Sequence, residues 1–197
     1  MKMGIRERTR ELVKAELATA ILAVFIERGY AAVTVDDAAR AVGISRATFF
    51  RYFGSKEDVV VASVESAKID YLAGIEAMPA GQRSSGWGLL RAAIEPVVQA
   101  ATQEPESLRA RLRLIASEPA LKSRLRERRA ANTDALSAAL SKHMDDDLSA
   151  RVLATAGLAA VDIAWEEWTP REDADFRTIV NDIFERLETA CQDHEKR

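Results

Sequence analysis

The sequence predicts an all-α protein of about nine helices, in which a small N-terminal three-helix module precedes a larger helical domain. Apolar residues recur at three- and four-residue intervals along almost the whole chain, no stretch alternates with period two for long, and glycine or proline punctuates the periodic segments. Neither an internal repeat nor a low-complexity tract interrupts this pattern.

The first helix is expected over about Thr9 to Arg28, where Val13, Leu17, Ile21, Val24 and Phe25 form one stripe and Gly29 stands where a left-handed C-terminal cap belongs. Thr34 opens a short second helix with Asp37 as its capping-box partner; Val35, Ala38, Ala39 and Val42 make its buried face, and Gly43 ends it. A third helix begins at Ser45 and ends near Phe53. Ser55 and Asp58 repeat the capping arrangement at the head of a fourth, long helix reaching about Ala77. Met78 to Gly86, rich in Pro, Gly and Ser, reads as a loop. Helices follow near 87–102, 105–117, 119–142, 148–168 and 173–192, with Pro105, Pro119 and Pro170 at boundaries and Pro96 expected to kink the helix around it.

At 197 residues, 48% hydrophobic and 30% charged, the chain can bury a sizeable core. Its apolar stretches break within about a dozen residues, short of the roughly 18 to 20 that a membrane helix needs, and the first residues lack a signal-peptide apolar region. A cytoplasmic protein with no membrane partner is expected. Cys191 has no second cysteine to pair with, and with His143 and His194 it offers no metal-ligand spacing, so no metal or cofactor is expected. No nucleophile stands beside a histidine and no Gly-rich phosphate loop is present, which argues against an enzyme.

The net charge of −3 hides an asymmetry. Residues 1–60 hold ten Lys/Arg against eight Asp/Glu, and the rest hold eighteen against twenty-three. Within the positive part, two short helices flank a glycine turn, the second being rich in polar and cationic residues: a helix-turn-helix over about 34–53, which lays its second helix in a DNA major groove. Ordinary helical hairpins share that spacing, but the side chains favour the groove. Arg46 and Thr48 occupy the first turn, where base edges are reached, and Arg offers a bidentate pair to guanine. Arg51, Tyr52 and Lys56 extend a polar rim suited to phosphates, while Phe49 and Phe53, four apart, are expected to point inward.

Gly29-Tyr30, Thr34-Val35, Asp37, Ala39, Val42-Gly43-Ile44-Ser45, Thr48-Phe49-Phe50-Arg51-Tyr52-Phe53 and Ser55-Lys56-Glu57 resemble the N-terminal signature of the TetR family of bacterial transcriptional regulators over about residues 9–60. The resemblance implies a homodimeric repressor whose N-terminal domains read a palindromic, inverted-repeat operator and whose C-terminal domain binds a small hydrophobic or anionic effector. It implies a phosphate contact at Thr34, base reading at Ser45, Arg46 and Ala47, a contact at Thr48, and backbone contacts at Tyr52 and Lys56. Phe50 departs from the pattern where a tyrosine hydroxyl is usual, leaving apolar contact with DNA, and Ala38 stands where Ile or Leu is usual. The domains then divide as 1–58, DNA-binding, and 59–197, effector-binding and dimerising.

Between Arg109 and Arg129 lie eight Lys/Arg against Glu118 and Glu127 alone. The block suits solvated helix faces paired with the acidic remainder, or an anionic ligand held by Arg109 and Arg113, one turn apart beside Leu108, Leu112 and Ile115. "SEPALKSRLRERR" and "LATAGLAAVDIAWEEW" are similar to the C-terminal domain of actinobacterial TetR-family regulators of the acyl-CoA-like, mycofactocin-associated type. That resemblance implies a long-chain acyl-CoA effector, with Trp87, Trp165 and Trp168 either lining its cavity or serving as core and interface. Apolar faces bearing Val152, Leu153, Leu158, Val161 and Trp165 on one helix and Phe176, Ile179, Ile183 and Leu187 on the next suit a four-helix bundle between two subunits. The alternative is a helical DNA- or protein-binding adaptor with no effector, distinguished by a larger domain without a cavity.

Overall fold

The computed structural model describes residues 5–65, 70–78 and 85–192, and every regular element among them is an α-helix. Ten helices follow one another among the described residues: α1 Ile5–Arg28, α2 Val35–Ala41, α3 Arg46–Tyr52, α4 Lys56–Glu65, α5 Tyr71–Glu76, α6 Gly86–Gln103, α7 Pro105–Ser117, α8 Pro119–Ser141, α9 Asp147–Trp168 and α10 Phe176–Gln192. The count exceeds nine because the expected long fourth helix is two. Asp70, with φ −90° and ψ 88°, is a fresh N-cap whose carboxylate accepts from the Ala73 amide at 3.0 Å, so Tyr71–Glu76 is a helix of its own. Most of the predicted 78–86 loop, together with His194, lies outside the described residues.

Two compact units emerge: one gathers the described part of Met1–Lys68 with Ala110–Glu127, the other that of Ile69–Arg109 with Arg128–Arg197. In the first, the stripe of α1 (Ala18, Ile21, Leu22, Phe25) packs on Val59 and Val60 of α4, on Ala38 and Ala39 of α2, on Phe49 and Phe53, and on Ile115 and Leu121. Gly29 at φ 85° and Gly43 at φ 72° adopt the left-handed backbone that ends the helices before them.

In the second unit, α9 runs a line of small residues, Ala150, Ala154, Gly157, Ala160 and Ala164, along its buried side. At Gly157 a Cβ would fall 2.5 Å from Leu90 Cδ1 of α6, so the glycine admits that leucine. Closer still is the crossing of α5 and α6. Pro96 lies inside α6 and lacks the N–H that would bond the Ala92 carbonyl, and a Cβ on Gly74 of α5 would fall 2.2 Å from that oxygen. By length and composition α9 could span a membrane, at 22 residues and a mean hydropathy of 1.4 in its most apolar window, contrary to the expectation that no stretch would qualify. It packs on α6 and α10 and carries Arg151 and Asp162, with 33% of that window buried.

Candidate nucleic-acid interface

Thr34 begins the interface. Its hydroxyl accepts from the Asp37 amide at 3.2 Å and donates to the Asp37 carboxylate at 2.6 Å, while its amide donates to the same carboxylate at 3.2 Å. The hydroxyl bond first, then the amide bond, holds the Asp37 carboxyl below its ordinary pKa. The Ile44 amide donates to the Ala39 carbonyl at 3.0 Å across the Gly43 turn, and Ser45 caps α3 by accepting from the Thr48 amide at 3.1 Å.

The inner face of α3 is aromatic. Phe49 and Phe53 are buried, their ring centres 5.5 Å apart, as the four-residue spacing predicts. Its outer face presents Ser45, Arg46, Ala47, Phe50 and Arg51 to solvent, with Thr48 half-buried beside them. Phe50 is 43% exposed, unusual for a phenylalanine that serves only a core. Tyr52 is half-buried against the core, with the Arg51 guanidinium 5.6 Å from its ring centre.

Arg46 is tethered: its Nη1 lies 2.9 Å from both carboxylate oxygens of Asp36, and its guanidinium carbon lies 5.3 Å from the centre of the Phe50 ring. Asp36 was not among the residues singled out from the sequence, where it looks like any acidic residue in the first turn of a helix. Arg10 also went unnoticed, though it donates from α1 to the Arg51 carbonyl at 3.5 Å.

Lys56 is turned inward. Its ammonium donates to the Tyr30 carbonyl and stands 4.0 Å from the centre of the Tyr30 ring and 5.3 Å from that of Phe25. Burial lowers its pKa. The Tyr30 hydroxyl donates to Glu57 at 2.7 Å, and burial together with that carboxylate raises the phenol's pKa. Arg124 reaches the same helix start, its Nε 2.9 Å from the Asp58 carboxylate that the Ser55 hydroxyl also contacts at 2.9 Å.

In the second unit Arg109, Trp165 and Trp168 come together, with the Arg109 guanidinium 4.0 Å from the centre of the Trp168 ring and the two indoles 5.8 Å apart. Arg109 is 2% exposed, and its guanidinium donates to the carbonyls of Trp168 at 3.4 Å, Ala174 at 2.9 Å and Arg171. Three hydrogen bonds of Arg109 thus go to carbonyls at the end of α9 and in the turn after it, while its Nε is buried with no hydrogen-bond partner among the described residues. Trp168 is buried and Trp165 stacks on Phe176 at 3.8 Å, so both belong to the packed corner between α9 and α10. Trp87 packs on Phe184 at 5.3 Å, its indole N–H buried with no hydrogen-bond partner among the described residues. Leu108 is half-buried, while Leu112, half-buried, and Arg113, exposed, fall in the other unit. Of the candidate dimer residues, Val161 and Phe176 are buried, whereas Leu153, Leu158, Ile179, Ile183 and Leu187 keep part of their surface.

Residues 17–62 match the family described as bacterial regulatory proteins, tetR family, and residues 85–192 match the MftR C-terminal domain. The chain belongs to the TetR family. It is a TetR-family DNA-binding transcriptional regulator with an MftR-type C-terminal domain, and the family is one of regulators rather than enzymes. The HTH-type transcriptional regulator TcmR of Streptomyces glaucescens is 27% identical over 184 residues, covering 89% of this chain and 81% of that one. A TetR-family regulator from Streptomyces coelicolor shares the fold at a TM-score of 0.56 and 20% identity, over 92% of this chain and 94% of its own. The fatty acid degradation regulator FadR from Bacillus halodurans does so at 0.58 and 17%, over 95% and 96%. In this TetR-family regulator α2, the Gly43 turn and α3 are the helix-turn-helix, and α3 is its recognition helix. No group of three or more His, Cys, Asp or Glu able to hold a metal occurs among the described residues.

Proposed function

We propose that this regulator is a cytoplasmic repressor that binds an inverted-repeat operator as a homodimer and releases it when a small hydrophobic effector, of the long-chain acyl-CoA class, enters the C-terminal domain. The observation that carries the DNA part is the outer face of α3, where Arg46, Ala47, Phe50 and Arg51 are exposed above a buried Phe49. Arg46 reads a base edge, Ser45 and Thr48 flank it, Phe50 meets a thymine methyl, and Thr34, Arg51 and Tyr52 serve the phosphates.

Exposed Leu148, Val152 and Ile163 on α9, beside half-exposed Ile179, Ile183 and Leu187 on α10, support a two-fold bundle. Such a dimer offers two recognition helices to half-sites roughly 34–36 Å, one DNA turn, or more apart.

The MftR-type match over residues 85–192 supports the effector class. Two clefts open on the second unit: one of about 80 Å³ between α6 and α10, near Arg91, Arg177 and Phe184, and one of about 420 Å³ between α8 and α9, lined in part by Asp134 and Asp147. The first is too small for an acyl-CoA, and the second sets Arg151 against Asp134 and Asp147, so on this reading helices of this unit part to admit the effector. The small size of the α6–α10 cleft favours, as a second reading, a regulator that answers to no small molecule.

Fluorescence anisotropy on labelled DNA from upstream of the gene, titrated with palmitoyl-CoA and with free CoA, tests both. Release by palmitoyl-CoA alone is the expected result; tight binding that neither compound disturbs establishes the second reading. Arg46→Ala should weaken operator binding by about 1–3 kcal/mol and relax one base position, and unchanged affinity and preference would remove Arg46 as a base reader.

A further inference from the structure

We propose that Asp36 is a specificity-determining residue, a positioning group that fixes which edge of the Arg46 guanidinium is offered to a base pair. The inference rests on Arg46 reading the major groove. The two residues are ten positions apart on different helices, yet Arg46 Nη1 stands 2.9 Å from both Oδ1 and Oδ2 of Asp36. The guanidinium carbon also stands over the Phe50 ring, 5.3 Å from its centre. One end of the guanidinium is therefore occupied, while Nε and Nη2 hold no hydrogen bond among the described residues. That remaining edge has the two-pronged geometry that matches guanine O6 and N7.

An untethered arginine on an exposed helix turns equally well toward a phosphate or a base and gives up its rotamer freedom on binding. With its side chain 62% exposed but gripped at Nη1, Arg46 keeps reach and loses that choice. The grip has a cost in general affinity: the Asp36 side chain is 50% exposed and negative, on the surface that meets a polyanion. A carboxylate there weakens binding to every sequence alike. It persists usefully if it sharpens the difference between sequences, because specificity is a difference of affinities rather than their sum.

The test uses the full-length protein. The preferred duplex is selected from a randomised pool, and dissociation constants are measured for it, for its single-base-pair variants and for an unrelated duplex, with wild type, Asp36→Asn, Asp36→Glu and Arg46→Ala. At the base pair whose discrimination Arg46→Ala abolishes, Asp36→Asn should lose about tenfold discrimination. It should bind the unrelated duplex as tightly as wild type or more tightly. Asp36→Glu, which keeps the charge, should retain part of the discrimination, a pattern that a merely structural role does not produce.

Asp36→Asn with undiminished discrimination overturns the proposal. So does tighter binding of the selected duplex with discrimination intact, which would make Asp36 a brake on Arg46. If Arg46→Ala changes no base preference, the groove reading falls and the role of Asp36 with it; if Arg46→Ala loses a preference that both Asp36 variants keep, only the role of Asp36 falls.

Discussion

The Arg109 guanidinium lies 4.0 Å from the centre of the Trp168 ring, and both side chains donate to one acceptor, the Ala174 carbonyl, at 2.9 Å and 2.8 Å. Arg109 thus closes the end of α9 and the turn into α10. Removing it takes one donor from each of three carbonyls and leaves a void beside Trp168, so Arg109→Ala should destabilise the protein by about 2–4 kcal/mol without any effector present. Thermal unfolding measures this. An unchanged midpoint with lost effector binding would return Arg109 to a ligand site.

Lys56 makes a contrasting case, since its ammonium faces Tyr30 and Phe25 rather than solvent. Lys56→Ala should destabilise by about 1–2 kcal/mol through the lost carbonyl bond, cation–π contact and stem packing. The salt dependence of DNA binding should stay almost constant. A slope smaller by about one unit at unchanged stability would instead put this ammonium on a phosphate.

Gly74→Ala should destabilise by about 1–3 kcal/mol, because the added carbon meets backbone oxygen and not a side chain able to yield. Helix propensity alone argues the opposite sign by up to about 1 kcal/mol. Denaturant unfolding decides, and a gain in stability would show that α5 does not press on α6.

Asp162 sits against Arg129, yet burial pushes its carboxyl up to about 6; the Arg129 charge lowers it by less, and Glu166 adds a further rise. A carboxyl that holds its proton more tightly folded than unfolded adds stability below its ordinary value of 3.8, and that contribution is lost as pH rises through 6. Asp162→Asn should therefore flatten the fall in stability between about pH 4 and 7, by less than about 2 kcal/mol for a side chain still partly in solvent. An equally steep fall in the variant would clear Asp162.

Much of the interface was legible in the chain because its signals are local. The Thr34–Asp37 and Ser55–Asp58 caps, the left-handed Gly29 and Gly43, and the inward Phe49 and Phe53 all follow from spacings of a turn or less. What was not legible depends on how helices cross. The apolar rhythm runs on through Asp70, so nothing local marks it as a cap rather than a surface acid. Arg109 is one of eight cations in a block, and only the approach of the α9–α10 corner buries it. On α9, apolar on most sides, periodicity does not separate buried Val161 from exposed Val152 and Ile163. Asp36 finds Arg46 only once α2 and α3 are set at their angle.

At the crossing of α5 and α6, the Ala92 carbonyl, deprived of its donor by Pro96, meets the bare α-carbon of Gly74. Most helix pairs touch through side chains, which flex and so absorb a small displacement before it travels. Here there is no such cushion. Backbone bears on backbone at that point, so a shift of α6 toward α5 finds no flexible side chain there to take it up.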